Sequence, residues 1–227
     1  MQRSPTLSLR VCGPLAIFTR PELKTERVSY PVMTPSAARG LIEAILWKPA
    51  ISWHIERIKV LNPIHFTAFR RNELNKKTSA PSAKIVANGG ELSPYFAEDD
   101  RAQRNTIALR DVDYVIEAYF TLTDRAGPED NVNKFVEMFK RRVDKGQHFH
   151  QPYFGCRECV ADVMPVDDDT PPPIADTQDL GIMLCDIEFG TKQNTPRFFV
   201  AHLRQGVLEV PENPESTLTA LVAGGAS

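Results

Sequence analysis

Residues 107–123, IALRDVDYVIEAYFTLT, decide how this chain is read. Val112, Tyr114, Ile116, Ala118, Phe120 and Leu122 fall on one side of a two-residue period, and Asp111, Asp113, Glu117, Tyr119 and Thr121 on the other. Alternate side chains of an extended strand point to opposite faces, so the pattern predicts a long strand with one face in a core and one polar face.

Working towards the N-terminus, Leu7, Leu9 and Val11 alternate with Ser8, Arg10 and Cys12, which predicts a first strand ended by Gly13-Pro14. Thr34 or Ser36 can cap a helix, Pro35 suits its first turn, and Ala38, Leu41, Ile42 and Ile45 keep helical spacing until Pro49 stops it. Leu46 falls on the helix face of Arg39 and Glu43, an apolar residue on a polar side, which suggests contact with an insertion or a partner. Residues 53–66 read as extended and broken by Pro63, 67–74 as a returning strand, and 75–104 as a polar insertion turning at Asn88-Gly89-Gly90.

Towards the C-terminus, Asp130 or Asn131 caps a second helix, whose Val132, Phe135, Val136, Phe139 and Val143 share a face and which Gly146 closes. Strands are expected at 158–166, 181–189, 197–203 and 206–210, the last two forming a hairpin around Gln205-Gly206. Residues 166–179, VDDDTPPPIADTQD, form an acidic, proline-rich loop. The order predicts an α+β fold: a ferredoxin-like domain over 1–165 with the 75–104 insertion, then an acidic linker and a smaller antiparallel β-sheet part over 166–227.

The composition excludes several classes. Among 227 residues, 42% are hydrophobic and 25% charged, ordinary for a soluble globular protein. No run approaches the roughly 18 apolar residues that span a bilayer, so no membrane partner is expected. The start, MQRSPTLSLRV, has no signal-peptide core, so the expected location is the cytoplasm. Four scattered cysteines read as reduced thiols. Charge is uneven: residues 1–110 carry net +8 and 111–227 net −10, which a total of −2 conceals. A basic half points to a polyanion.

Arg20, Lys24 and Arg27 lie in the loop before the first helix, Arg39 and Lys48 on it, and Arg57, Lys59, Arg70, Arg71, Lys76, Lys77, Arg101 and Arg104 beyond. Phe18, Tyr30, Trp47, Trp53, Phe66 and Phe69 are interleaved with them. Cations suit phosphates and flat rings suit bases. The bland alternative is a solvated surface, and the aromatic motifs of a standard RNA-recognition module are absent. In HFHQPYFGCREC, residues 148–159, Cys156-x-x-Cys159 with His148 and His150 is short for a tetrahedral zinc site, and free thiols are the simpler reading. No metal or other cofactor is expected. His54 and His65 lie in or beside strands, and Tyr119 on the polar face of the long strand can donate a proton or hold a phosphate.

The runs GPLAIFTRPELKTERVSYPVMTPSAARGLIEAILWKPAI, RIKVLNPIHF, FRRNE, RNTIALRDVDYVIEAYF and QPYFGCRE closely resemble the CRISPR-associated Cas-five family of subtype I-C, the d or Dvulg type, over about the first 160 residues. The resemblance implies a ferredoxin-like domain of the repeat-associated type. It also implies a metal-independent endoribonuclease that cuts precursor CRISPR RNA at each repeat hairpin by 2′-OH attack. The enzyme would then stay on the 5′ handle beside the backbone and large subunits of the interference complex, Cascade. The family's tyrosine, lysine and histidine fall at Leu46 and near Ala118-Tyr119, so this chain departs from the pattern. Tyr119, Lys48 and His65 become the expected catalytic residues, with Arg20, Lys24, Arg27, Arg39, Arg70, Arg71, Lys76 and Arg104 on RNA. The alternatives are a handle cap that does not cut and a subunit that docks double-stranded DNA.

Overall fold

The computed structural model describes residues 2–23, 25–75, 87–88, 96–189 and 194–224. Lys24, Lys76, Lys77, Gly89, Gly90 and most of the expected insertion lie outside the described residues. The described chain forms nine strands: β1 (Leu7–Ala16), β2 (Arg27–Val28), β3 (Ile51–Val60), β4 (His65–Leu74), β5 (Arg101–Leu122), β6 (Asp162–Met164), β7 (Gln178–Phe189), β8 (Asn194–Arg204) and β9 (Val207–Glu209). Its helices are α1 (Pro35–Ile45), α2 (Val132–Asp144) and α3 (Pro214–Gly224).

The long strand organises the sheet. The C-terminal part of β5 lies between antiparallel β1, with Leu9 opposite Ile116, and antiparallel β3, with Ile58 opposite Ile116. Its N-terminal part carries β4, with Ala68 opposite Ile107, and the short parallel β2. Sheet order is β6-β1-β5-β3-β9-β8-β7. The expected C-terminal sheet is therefore no separate layer, because β9 pairs with β3 and carries β8 and β7 as an extension of the same sheet. The β8–β9 turn is Gln205-Gly206, both at positive φ, as tight hairpin turns require.

The alternation on β5 places its core face as expected: Tyr114, Ile116, Ala118 and Phe120 are buried in one core with Leu9, Val11, Leu41, Ile42, Ile45, Phe135 and Phe139, while Asp113, Val115 and Glu117 on the other face are buried too. Burying each large apolar side chain contributes roughly 1.5–3 kcal/mol, so the α1 and α2 stripes hold both helices against one face. Thr34 caps α1 by accepting from Ala37 N at 3.3 Å, and Asn131 caps α2 by accepting from Lys134 N at 2.9 Å.

Two expectations are corrected. β1 does not stop at Gly13-Pro14; its register omits Pro14 and resumes at Leu15 opposite Arg110, beside Asp111 at φ 53°. Proline costs only one ladder donor, and the irregular partner absorbs it. Leu46 is not on a polar helix face either. The helix ends at Ile45, Leu46 is extended at φ −140°, and its side chain is fully buried. Trp53 Nε1 donates to Leu46 O at 2.8 Å and holds the turn.

Candidate nucleic-acid interface

Residues 2–4 prolong β1 along β5: Leu122 N donates to Gln2 O at 3.0 Å and Ser4 N to Phe120 O at 2.9 Å. That pairing lays the Arg3 guanidinium over the Tyr119 ring, 3.7 Å from its centroid. On the other side His54, opposite Tyr119 in register, stacks on it with centroids 4.9 Å apart and planes 17° apart. His54 Nε2 is 3.2 Å from Thr121 Oγ1, and Arg3 is held by Glu56 at 2.5 Å. Tyrosine, histidine and a cation thus meet on the sheet face away from the core. His54 keeps an open edge to solvent. Lost hydration on its packed side, then the charges of Arg3 and Arg39, lower its pKa below the usual 6.5, so the neutral, proton-accepting imidazole dominates at pH 7.

The structure does not bring Lys48 and His65 to Tyr119. His65 is opposite Arg110, nine residues from Tyr119 along β5, roughly 30 Å of strand. Lys48 is exposed past the end of α1, where its charge acts on Asp130. Sequence spacing does not show such separations, because residues of one sheet can lie many positions apart along a shared strand.

The cations separate similarly. Arg20 stacks on Tyr30 at 4.6 Å and lies 3.7 Å from Glu22. Arg27 binds Glu73 at 3.1 Å and donates to Cys156 Sγ at 3.4 Å. Arg39 binds Glu43 at 3.1 Å and Asp186 at 2.5 Å. Arg71 is held by Glu73 and Glu158. Arg104 donates to Asn75 Oδ1 at 3.1 Å, and Arg70 is exposed on β4 with no ion pair among the described residues. Glu158 and Asp186 belong to the acidic half, so that half folds back onto the basic one.

A concavity of about 1570 Å³ opens between α1, the 149–157 loop and the β7–β8 strands. Phe149 N donates to Ala44 O at 2.8 Å, and the Arg142 side chain reaches Ile45 O, so the loop closes on the last turn of α1. Arg27 and Arg39 line this cleft with Arg157, His150 and the exposed aromatics Trp47, Phe149 and Tyr153. Tyr119 and His54 are not among its lining residues. Of this set, Arg3, Arg157, Phe149 and Tyr153 escaped sequence reasoning. The 148–159 segment stood out only for its His and Cys spacing and the QPYFGCRE run, and nothing in local spacing shows that Arg3 lies over Tyr119.

Cys156 and Cys159 are buried, and loss of solvent raises both pKa values, that of Cys159 to about 11. Such thiols stay protonated at neutral pH. Among the described residues no group of three or more His, Cys, Asp or Glu side chains is placed to hold a metal ion, and no helix is long and apolar enough to cross a membrane.

Comparison with known proteins places this sheet among CRISPR-associated proteins: a family model described as CRISPR-associated protein (Cas_Cas5) matches residues 6–211, and the chain belongs to that family. That model is the Cas5d one, and the named relatives agree. The chain is 48% identical to the CRISPR pre-crRNA endoribonuclease Cas5d of Mannheimia succiniciproducens over 90% of its length and 94% of that protein. It is 40% identical to the protein of the same name from Thermus thermophilus, over 97% of both chains. A solved structure titled as a CRISPR-associated protein superimposes with a TM-score of 0.69 at 22% identity over 96% of each chain, a likeness of fold.

Proposed function

We propose that this protein is a pre-crRNA endoribonuclease that cuts precursor CRISPR RNA at the repeat hairpin and then stays on the 5′ handle within the type I-C interference complex. The observation that carries this is 48% identity, over nine-tenths of the chain, to a protein bearing that name. The succession β1, α1, β3, β5, α2, β6, with β6-β1-β5-β3 as sheet neighbours, supports a ferredoxin-like reading of residues 1–165.

The reaction needs no metal in this reading. The 2′-oxygen forms a bond to the adjacent phosphorus, the bond from phosphorus to the 5′-oxygen breaks, and a 2′,3′-cyclic phosphate and a 5′-hydroxyl result. Neutral His54 takes the 2′-OH proton, the Tyr119 phenol gives its proton to the leaving oxygen, and Arg3 offsets charge on the phosphorane. His54 and Arg3 replace His65 and Lys48 in these roles because they touch Tyr119. Arg20, Arg27, Arg39, Arg70, Arg71 and Arg104 are the RNA-facing cations, Arg70 being the least encumbered.

Repeat RNA incubated with the protein in EDTA tests this. The expected result is one cut at the hairpin base, with Tyr119→Phe slowing it by roughly 10²-fold or more. A specific complex without products overturns the enzyme and supports a second reading, a handle cap that does not cut. Burial of Leu46 and Ala118, where the resemblance expects polar catalytic groups, favours that reading.

A further inference from the structure

We infer that the cleft beside α1 is a stacking subsite for unpaired nucleotides of the RNA strand, with Trp47 and Phe149 as its platforms. This rests on reading the protein as an RNA-processing enzyme. Trp47 and Phe149 are 60% and 77% exposed, far more than large aromatics usually are, and they line one cavity with Tyr153 at 40%. The Phe149 N–H on Ala44 O places the loop ring beside the helix end that carries Trp47, so the platform is built before anything binds. Flat rings of this kind are worth most to bases whose faces are free, which single strands offer and duplexes do not.

Charge makes nucleic acid a better occupant than an apolar peptide. Arg27, Arg39 and Arg157 face the same cavity against two lining carboxylates, Glu43 and Asp186, which leaves a cationic excess, and Arg157 has no ion pair among the described residues. Glu43 and Asp186 clamp the Arg39 guanidinium from two sides, which fixes its direction. At about 1570 Å³ the cleft exceeds the roughly 300–1,000 Å³ typical of small-molecule sites, so it takes a run of nucleotides rather than one.

Tryptophan emission tests this. The chain has two tryptophans, and Trp53 is 3% exposed against 60% for Trp47, so quenching by a solvent-borne base reports Trp47. An unstructured RNA octamer, an abasic octamer and a short RNA duplex are titrated into wild type, Trp47→Leu and Phe149→Ala, with repeat-RNA cleavage followed in parallel. The octamer should quench wild type, the abasic strand and duplex should not, Trp47→Leu should lose the signal, and Phe149→Ala should weaken octamer binding by roughly 5- to 150-fold. Equal quenching by the abasic strand, none by the octamer, or a signal that persists in Trp47→Leu overturns the subsite. So does emission that responds to an apolar peptide and not to RNA. Cleavage without quenching sinks the subsite alone, whereas quenching without cleavage sinks the enzyme reading and leaves the subsite standing.

Discussion

Gly155 is the residue through which the QPYFGCRE loop is locked to β1, and replacing it with alanine should loosen both. A Cβ on Gly155 would lie 2.0 Å from Ile17 O and 2.8 Å from Ile17 C, and the backbone there is at φ +77°. The left-handed conformation alone costs a non-glycine residue roughly 1–2 kcal/mol. The overlap is with main chain, so the loop and the end of β1 must part by roughly 1.4–2 Å to reach an ordinary contact. Parting threatens the bond from Ile17 N to Phe154 O, 3.0 Å long between two fully buried residues. Leaving its groups unpaired costs a further ~1–3 kcal/mol. Gly155→Ala should therefore lose about 2–5 kcal/mol in urea unfolding and roughly 4–20 °C in melting temperature. Gly40→Ala is the control: nothing lies within 4 Å of a Cβ there and the residue is inside α1, so stability should rise by about 0.5–1 kcal/mol. A Gly155→Ala protein within 1 kcal/mol of wild type would refute the claimed close approach.

Leu46→Tyr, which puts back the family's tyrosine, should destabilise by about 1–3 kcal/mol without speeding cleavage, because the site is a fully buried apolar one; faster cleavage at unchanged stability contradicts that placement. If neutral His54 is the base, the cleavage rate falls as pH is lowered through a midpoint below 6.5, and His54→Gln removes that limb from the pH–rate profile. A limb with its midpoint above 7 argues against His54. With its pKa near 11, Cys159 is about 0.1% thiolate at pH 8, so a thiol reagent should modify it far more slowly in the native protein than in urea. Equal rates would show that the 153–159 loop opens freely.

The long strand was legible because its two faces alternate over residues 111–122, and the two helices because cap, stripe and stop agree at each. The register between strands was not. That β9 would attach to β3, joining the C-terminal strands to the main sheet, is decided by which sheet edge stays unpaired, and a three-residue strand carries too short a pattern to announce it. Leu46 was misread for a local reason. Helical spacing was carried one residue past the true end, where the chain had already turned inward.

Charge shows the same limit in energetic form. A net +8 half and a net −10 half suggest a broad cationic surface, but like charges crowded in one half stabilise any fold that interleaves them with the other half. Arg39 with Asp186 and Arg71 with Glu158 are that interleaving, across 147 and 87 residues of sequence. Pairs of this kind do not remove an arginine from RNA binding. They hold the guanidinium in one direction and reduce the entropy lost when a phosphate arrives, while weakening its net pull. Long-range attraction should therefore come mostly from cations such as Arg70 and Arg157, and local orientation from clamped ones such as Arg39. Neutralising the first kind should flatten the salt dependence of binding, whereas Arg39→Gln should leave the salt slope nearly unchanged and alter where the strand lies. A salt slope that drops as much for Arg39→Gln as for Arg70→Gln would show that the ion pairs open on binding and that the division into steering and orienting arginines is false.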